Sequence, residues 1–129
     1  MGWARCATFR NHIYNDTGAS AVDGAFATQV RGKAYPSAGG DGNLAPLELR
    51  APAAFDNGYF RDLVARRVLL RSDQELYGSN GTTDALVRAY AANATLFAAD
   101  FAAAMVKLGR LALTGKSGEV RLNCRRVNS

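Results

Sequence analysis

The sequence predicts an all-α domain with one long loop and an irregular C-terminal tail. Three observations carry this. Alanine, the strongest helix former, makes up roughly a fifth of the chain. Apolar residues recur at steps of three and four in several windows, the spacing of one helix face. Gly and Pro punctuate residues 35 to 54, at Pro36, Gly39, Gly40, Gly42, Pro46 and Pro52, which marks a loop. The chain has 129 residues, enough for one domain, 1–129, with its own core. At 48% hydrophobic and 21% charged, it has the composition of a soluble globular chain.

Each element is justified by local pattern. Cys6, Phe9 and Ile13 predict a short helix over Trp3 to Tyr14. Gly18 interrupts it, and Asp16 and Thr17 are candidate caps. Val22, Phe26 and Val30 form an i, i+4 stripe over Ala21 to Val30, closed by Gly32. After the long loop, a stretch of the kind that often binds ligands, Asp56 or Asn57 caps a helix with the apolar face Tyr59, Phe60, Leu63 and Val64. Ser72 and Glu75 have the spacing of a capping box. Thr82 or Thr83 caps a helix containing Leu86, Val87 and Tyr90. Asn93 caps the next, whose stripe is Phe97, Phe101, Met105 and Leu108, with alanines between and Gly109 as a stop. Val120 and Leu122 alternate in a tail that reads as extended.

Composition also excludes function classes. The net charge is +5, but the basic residues come as short pairs, Arg66-Arg67 and Arg125-Arg126. With no zinc spacing and no RNA-binding signature, they read as a solvated surface, and no nucleic-acid partner is expected. No apolar run reaches the ~18 residues of a membrane span, so no membrane partner is expected either. The first residues contain no apolar signal-peptide core, so no secretory signal is expected within this sequence. Cys6 and Cys124 lie near opposite ends; a bridge between them would stabilise by about 4–5 kcal/mol in the chain-entropy model, but spacing alone leaves open whether they meet.

Six motifs succeed one another along the chain. The first is Gly2-x-Ala4-x-Cys6 leading into Arg10-x-x-Ile13-Tyr14-Asn15. Next come Gly39-Gly40-Asp41-Gly42-Asn43-Leu44, then Pro52 with Phe55-Asp56-Asn57-x-Tyr59-Phe60. After these stand Leu69-Leu70-x-Ser72-Asp73-Gln74-Glu75-Leu76 and Phe97-x-x-Asp100-Phe101-Ala102-x-Ala104-Met105-Val106-Lys107-x-Gly109. The last is Leu113-Thr114-Gly115, Gly118-Glu119-Val120-Arg121 and Asn123-Cys124-Arg125. In this order they resemble the C-terminal, proximal half of the secretory (class III) plant haem peroxidases, over essentially the whole chain.

The resemblance implies a helical haem-peroxidase-like fold, proximal half only. It implies haem b and calcium as cofactors, and hydrogen-peroxide-dependent oxidation of phenolic donors in response to oxidative stress. It implies an extracellular, cell-wall or vacuolar setting for the family. It places the family's iron-binding histidine two positions before Met1, so the chain is expected to begin just after it and to lack the distal Arg and His as well. Asp73 corresponds to the acid that accepts a hydrogen bond from that histidine, where a carboxylate makes the imidazole more anionic; it also reads as an acid in a first helical turn. Glu48, Ala51, Ala54 and Asp56 correspond to the proximal calcium ligands, with Glu48 one methylene longer and Ala51 without a hydroxyl. Calcium takes six to eight oxygens, so this is a degenerate site, and Asp56 also reads as a helix cap. The family's partner for Cys6 is replaced at Tyr35, and that of Cys124 belongs to the other half, so the resemblance implies two unpaired cysteines. His12, the one histidine, corresponds to a position away from the iron. The sequons at Asn15, Asn80 and Asn93 suit a secreted ancestor. The chain is therefore expected to be inactive alone and to bind haem and calcium poorly, its partner being a missing N-terminal half. A non-catalytic remnant and a helical binding module are the alternatives.

Overall fold

The computed structural model of the protein describes residues 2–18, 21–33, 35–48, 51, 53–78, 81–111 and 118–128. Among them six helices and two three-residue strands alternate as β1 Trp3–Arg5, α1 Cys6–Tyr14, α2 Gly24–Arg31, β2 Leu44–Pro46, α3 Gly58–Val64, α4 Arg71–Gln74, α5 Thr82–Ala92 and α6 Ala94–Gly109. The chain forms two compact units, Met1–Ala98 and Ala99–Ser129. None of the described helices is by itself long and apolar enough to cross a membrane.

The start of the chain corrects the sequence expectation. The helix begins at Cys6, and Trp3–Arg5 is a strand. It pairs antiparallel with β2, Trp3 opposite Pro46, Ala4 opposite Ala45 and Arg5 opposite Leu44. The Leu47 N–H donates to the Gly2 carbonyl at 2.9 Å, and the Cys6 N–H to the Asn43 carbonyl at 2.8 Å. Distant backbone thus satisfies groups that a longer helix would have used. Among its described residues, the segment 35–54 is a loop apart from β2. Arg10 clasps it, donating to the carbonyls of Pro36 and Gly39 and pairing with Asp41 at 2.6 Å. Gly40 turns the loop at φ 64°, where a Cβ would lie 2.9 Å from the Asn43 side chain.

Several caps differ from expectation. The cap of α2 is Asp23, whose carboxylate accepts the Phe26 N–H at 2.9 Å, while Asp16 pairs with His12 instead. Gly32 does end α2, but in right-handed conformation at φ −68°. Ser72 lies inside α4, which is capped by Leu70, so no capping box forms. Thr82 lies inside α5, whose cap is Gly81. At α3 the cap position is Asn57, yet its amide reaches away to the carbonyls of Tyr90 and Ala91 at 2.9 and 3.0 Å. Asp56 takes over and accepts the Gly58 N–H at 2.7 Å. Asn93 caps α6 as expected, accepting the Leu96 N–H at 3.0 Å.

Two apolar clusters hold the first unit. Cys6, Phe9 and Ile13 of α1 meet Phe26 and Val30 of α2, with Ala4, Tyr35, Ala45 and Leu69 completing the group. Leu63, Val68 and Val87 form the second, flanked by Tyr59, Phe60 and Tyr77. Val64, expected on the α3 core face, is exposed. Phe97 begins the α6 stripe, with its ring 4.9 Å from Phe60 and 5.6 Å from Tyr90. The rest of the stripe is exposed, at Phe101, Met105 and Leu108, and no residue of α6 is buried. Val120 and Leu122 are exposed, in a stretch with no strand among its described residues. Cys6 is a buried free thiol and Cys124 an exposed one. Of the sequons, Asn15 and Asn93 are exposed, and Asn80 lies outside the described residues.

This packing has two measurable consequences. Phe9 is fully buried, so Phe9→Ala is expected to cost about 3–5 kcal/mol in urea denaturation. The exposed apolar side of α6 is expected to bind hydrophobic dyes and to cause concentration-dependent association. Phe101→Glu with Met105→Gln should reduce both, read by dye fluorescence and sedimentation, with helix content unchanged.

Candidate functional site

Asp73, Glu48 and Tyr59 come from three separate segments and line one cavity. Leu47 and Glu48 lie just past β2, Tyr59 sits in the first turn of α3, and Leu70 and Asp73 belong to the start of α4. The cavity measures about 210 Å³ and is partly open. Its lining among the described residues is Leu47, Glu48, Tyr59, Leu70 and Asp73. Two leucines and a ring therefore surround two acids.

Asp73 is half-buried, and the Tyr59 hydroxyl donates to its Oδ1 at 3.1 Å. Burial raises the Asp73 carboxyl above its ordinary value; the Tyr59 hydrogen bond and the His12 ring oppose this without cancelling it. The same burial, with the Asp73 charge and hydrogen bond, pushes the Tyr59 phenol upward. Tyr59 thus holds its proton towards the acid.

Glu48 is only 5% exposed, and its Oε2 is buried without a hydrogen-bond partner. Its carboxyl is raised first by burial, then by Asp56, with Asp62 adding to it and a hydrogen bond from the Ala51 backbone opposing it. Glu48 and Asp56 converge over Gly58: a Cβ there would lie 2.5 Å from Glu48 Oε1 and 2.9 Å from Asp56 Oδ1. Only a glycine leaves room for both carboxylates.

Of the residues expected to hold calcium, the fold brings Glu48 and Asp56 together. Ala51 is tied up locally, its carbonyl accepting the Ala54 N–H at 3.0 Å. Among the described residues no group of three or more His, Cys, Asp or Glu is arranged to hold a metal. Against the six to eight oxygens calcium requires, the described donors do not fit it. Haem fits no better. His12 is buried, its Nδ1 lies 2.7 Å from Asp16 Oδ2, and it is absent from the described cavity lining. The cavity is also smaller than the roughly 300–1,000 Å³ of drug-sized ligand sites.

Sequence reasoning singles out Asp73 and Glu48 but misses four contributors. Residue spacing assigns Tyr59 to an apolar face, and its hydroxyl is the available signal of a second role. Leu47 and Leu70 carry no signal, since their role depends on two distant segments meeting. Asp62, which acts on Glu48, is buried on α3.

The raised acids fix a pH dependence. Both folded carboxyls hold their protons to higher pH than the unfolded chain does. Their contribution to stability is thus fully present below the ordinary carboxylate range and is lost as pH rises through the raised values. Urea midpoints measured between about pH 4 and pH 7 should fall with pH from this source, and Glu48→Gln should flatten the slope. Tyr59→Phe should cost about 1 kcal/mol and raise the Asp73 carboxyl further, read by NMR titration.

Comparison with known proteins assigns the lineage. The family model described as Peroxidase matches residues 1–93. Peroxidase 70 of Zea mays is 52% identical over 130 residues, covering 99% of this chain and 39% of its own length. Peroxidase RIP1 of Medicago truncatula is 47% identical over 129 residues, covering 98% of this chain and 38% of its own length. A peroxidase of Lupinus polyphyllus is 47% identical over 129 residues, 99% of this chain and 79% of its own length. The chain spans about two fifths of the length of the first two relatives. With the family model matched over more than half of it and plant class III relatives aligned along its whole length, the chain belongs to the peroxidase family.

Proposed function

We propose that these residues form the proximal part of a haem peroxidase that uses hydrogen peroxide to oxidise phenolic donors, and that the 129 residues alone are catalytically inert. The observation that carries the reading is Asp73. It is a half-buried carboxylate, steadied by Tyr59, at the wall of an apolar cavity. An acid held in this way is suited to accept an N–H from an imidazole that enters the cavity, orienting that ring and raising its basicity. The coverage of the relatives supports a partner in the form of the remaining part of such an enzyme.

Inertness is supported by the donors present. Peroxide cleavage calls for a positioned acid–base, and the one histidine, His12, is buried and engaged with Asp16. Neither haem nor calcium finds a fitting donor set among the described residues. For calcium the expected outcome is no rise in melting temperature at millimolar concentration.

The chain titrated with haem is expected to turn over a phenolic donor no faster than free haem. Turnover above that level would overturn the inert reading. A chimera tests the role of Asp73: the part of Zea mays Peroxidase 70 that precedes the matched region is joined to this chain. It should regain turnover, and Asp73→Asn within it should lower the rate by about 10–100-fold. An unchanged rate would remove Asp73 from the reading.

A further inference from the structure

One side chain ties α3 to α5 by hydrogen bonds to the backbone. Asn57 is 3% exposed, and its Nδ2 donates to the carbonyls of Tyr90 and Ala91 at 2.9 and 3.0 Å. The next residue is Gly58, where a Cβ would lie 2.5 Å from Glu48 Oε1 and 2.9 Å from Asp56 Oδ1. The tie requires an Asn and the crowding requires a Gly, so the fold sets Asn before Gly at this place. That dipeptide has a reaction of its own. With no Cβ on the glycine, its backbone nitrogen can swing onto the Asn side chain and attack the amide carbon.

Three features of the folded chain oppose that attack. The Asn57 amide is held by the two carbonyls near the end of α5. The Gly58 N–H donates to Asp56 Oδ1 at 2.7 Å, which fixes the nucleophile. Asn57 has ψ 16°, which turns the Gly58 nitrogen away from the Asn57 Cβ, whereas ring closure needs both on one side of the Cα–C bond. When α3 leaves α5, the amide is released and ψ is free to rotate. Native proteins make local openings of this kind.

We propose that Asn57 is a self-modification site, a deamidation site shielded by the docking of α3 on α5 and exposed when the two helices part. The Gly58 nitrogen gives its proton to water and bonds to Asn57 Cγ. The Cγ–Nδ2 bond breaks, and the side-chain nitrogen takes a proton from water and leaves as ammonia. A second water then opens the five-membered imide at either carbonyl, giving aspartate or isoaspartate at position 57. The change runs one way. A carboxylate at this position sets an acceptor against the carbonyls of Tyr90 and Ala91 in place of the donor they now share. Isoaspartate also adds a methylene to the backbone at the start of α3. A chain modified while open therefore does not regain the tie. The inference holds whether or not the chain takes part in peroxide chemistry.

Peptide mass mapping of the full 129-residue chain tests this. Asn80-Gly81 is the same dipeptide and serves as the internal clock for the unfolded chain. In guanidinium at neutral pH, Asn57 and Asn80 should convert at similar rates. In the folded chain Asn57 should convert about tenfold more slowly or slower still, because a slow modification tracks the open population. Val87→Ala thins the Leu63, Val68 and Val87 cluster that joins α3 and α5. It should raise the Asn57 rate in step with its fall in urea midpoint. Asn57→Asp, which reproduces one product, should lower the urea midpoint or abolish folding. Equal Asn57 rates in folded and unfolded wild type would overturn the proposal, and so would an Asn57 that stays intact in guanidinium while Asn80 converts. An unchanged Asn57 rate in Val87→Ala despite a lower midpoint would overturn shielding by the docked helices. An Asn57→Asp midpoint equal to that of wild type would overturn the one-way step.

Discussion

Trp3–Arg5 and Leu44–Pro46 are separated by almost forty residues of chain, and their pairing closes that loop. The entropic cost of such a closure grows only slowly with loop length. It is offset by the burial of Ala4 and Ala45 in the pairing and of Cys6 and Tyr35 beside it. The pairing positions the chain beyond each strand. It sets the start of α1 at Cys6, so Phe9 and Ile13 face Phe26 and Val30. It also delivers Leu47, tied to Gly2, and then Glu48 to the cavity wall. The Arg10 clasp and the Tyr35 hydroxyl, which donates to the Leu44 carbonyl at 2.9 Å, hold the intervening loop against α1.

The buried polar groups of the first unit fall into two kinds. Asn57 is satisfied: its amide takes two carbonyls at the end of α5 and so ties α3 to α5. Such a bond strengthens in a low-dielectric interior and makes one packing of the two helices preferable to others. Gln74 stands between the two: its Nε2 donates to the carbonyls of Leu63 and Tyr77, while its Oε1 is buried without a partner. Glu48 is of the other kind. Its carboxylate is desolvated, near Asp56 and Asp62, and unmet at Oε2. Buried acids with raised affinity for protons cluster where chemistry or binding occurs. In this chain that place is also where Asp73 and Tyr59 meet.

Much of the fold is legible in the sequence. The stripes of α1, α2 and α6 are set by apolar spacing, and the cap at Asn93 by residue type. The departures share one cause. Local pattern assigns Trp3–Arg5 to a helix because a short apolar pattern does not reveal a strand partner forty residues away. Spacing suggests the Ser72 box and the Thr82 cap, yet α4 and α5 start one or more residues earlier than those caps require. Asn57 has the residue type of a cap and instead bridges to α5, because tertiary acceptors are within its reach.

The sequence by itself determined the lineage, the helical class and the identities of Asp73 and Glu48 as acids of interest. These depend on residue type and order, which are local. The tertiary structure decided the environment of those acids: Tyr59 donating to one, Oε2 of the other left bare, and two leucines shaping the space between them. A carboxylate is the same group in every sequence; burial and neighbours set its charge and its appetite for a partner, and both arise only when distant segments meet.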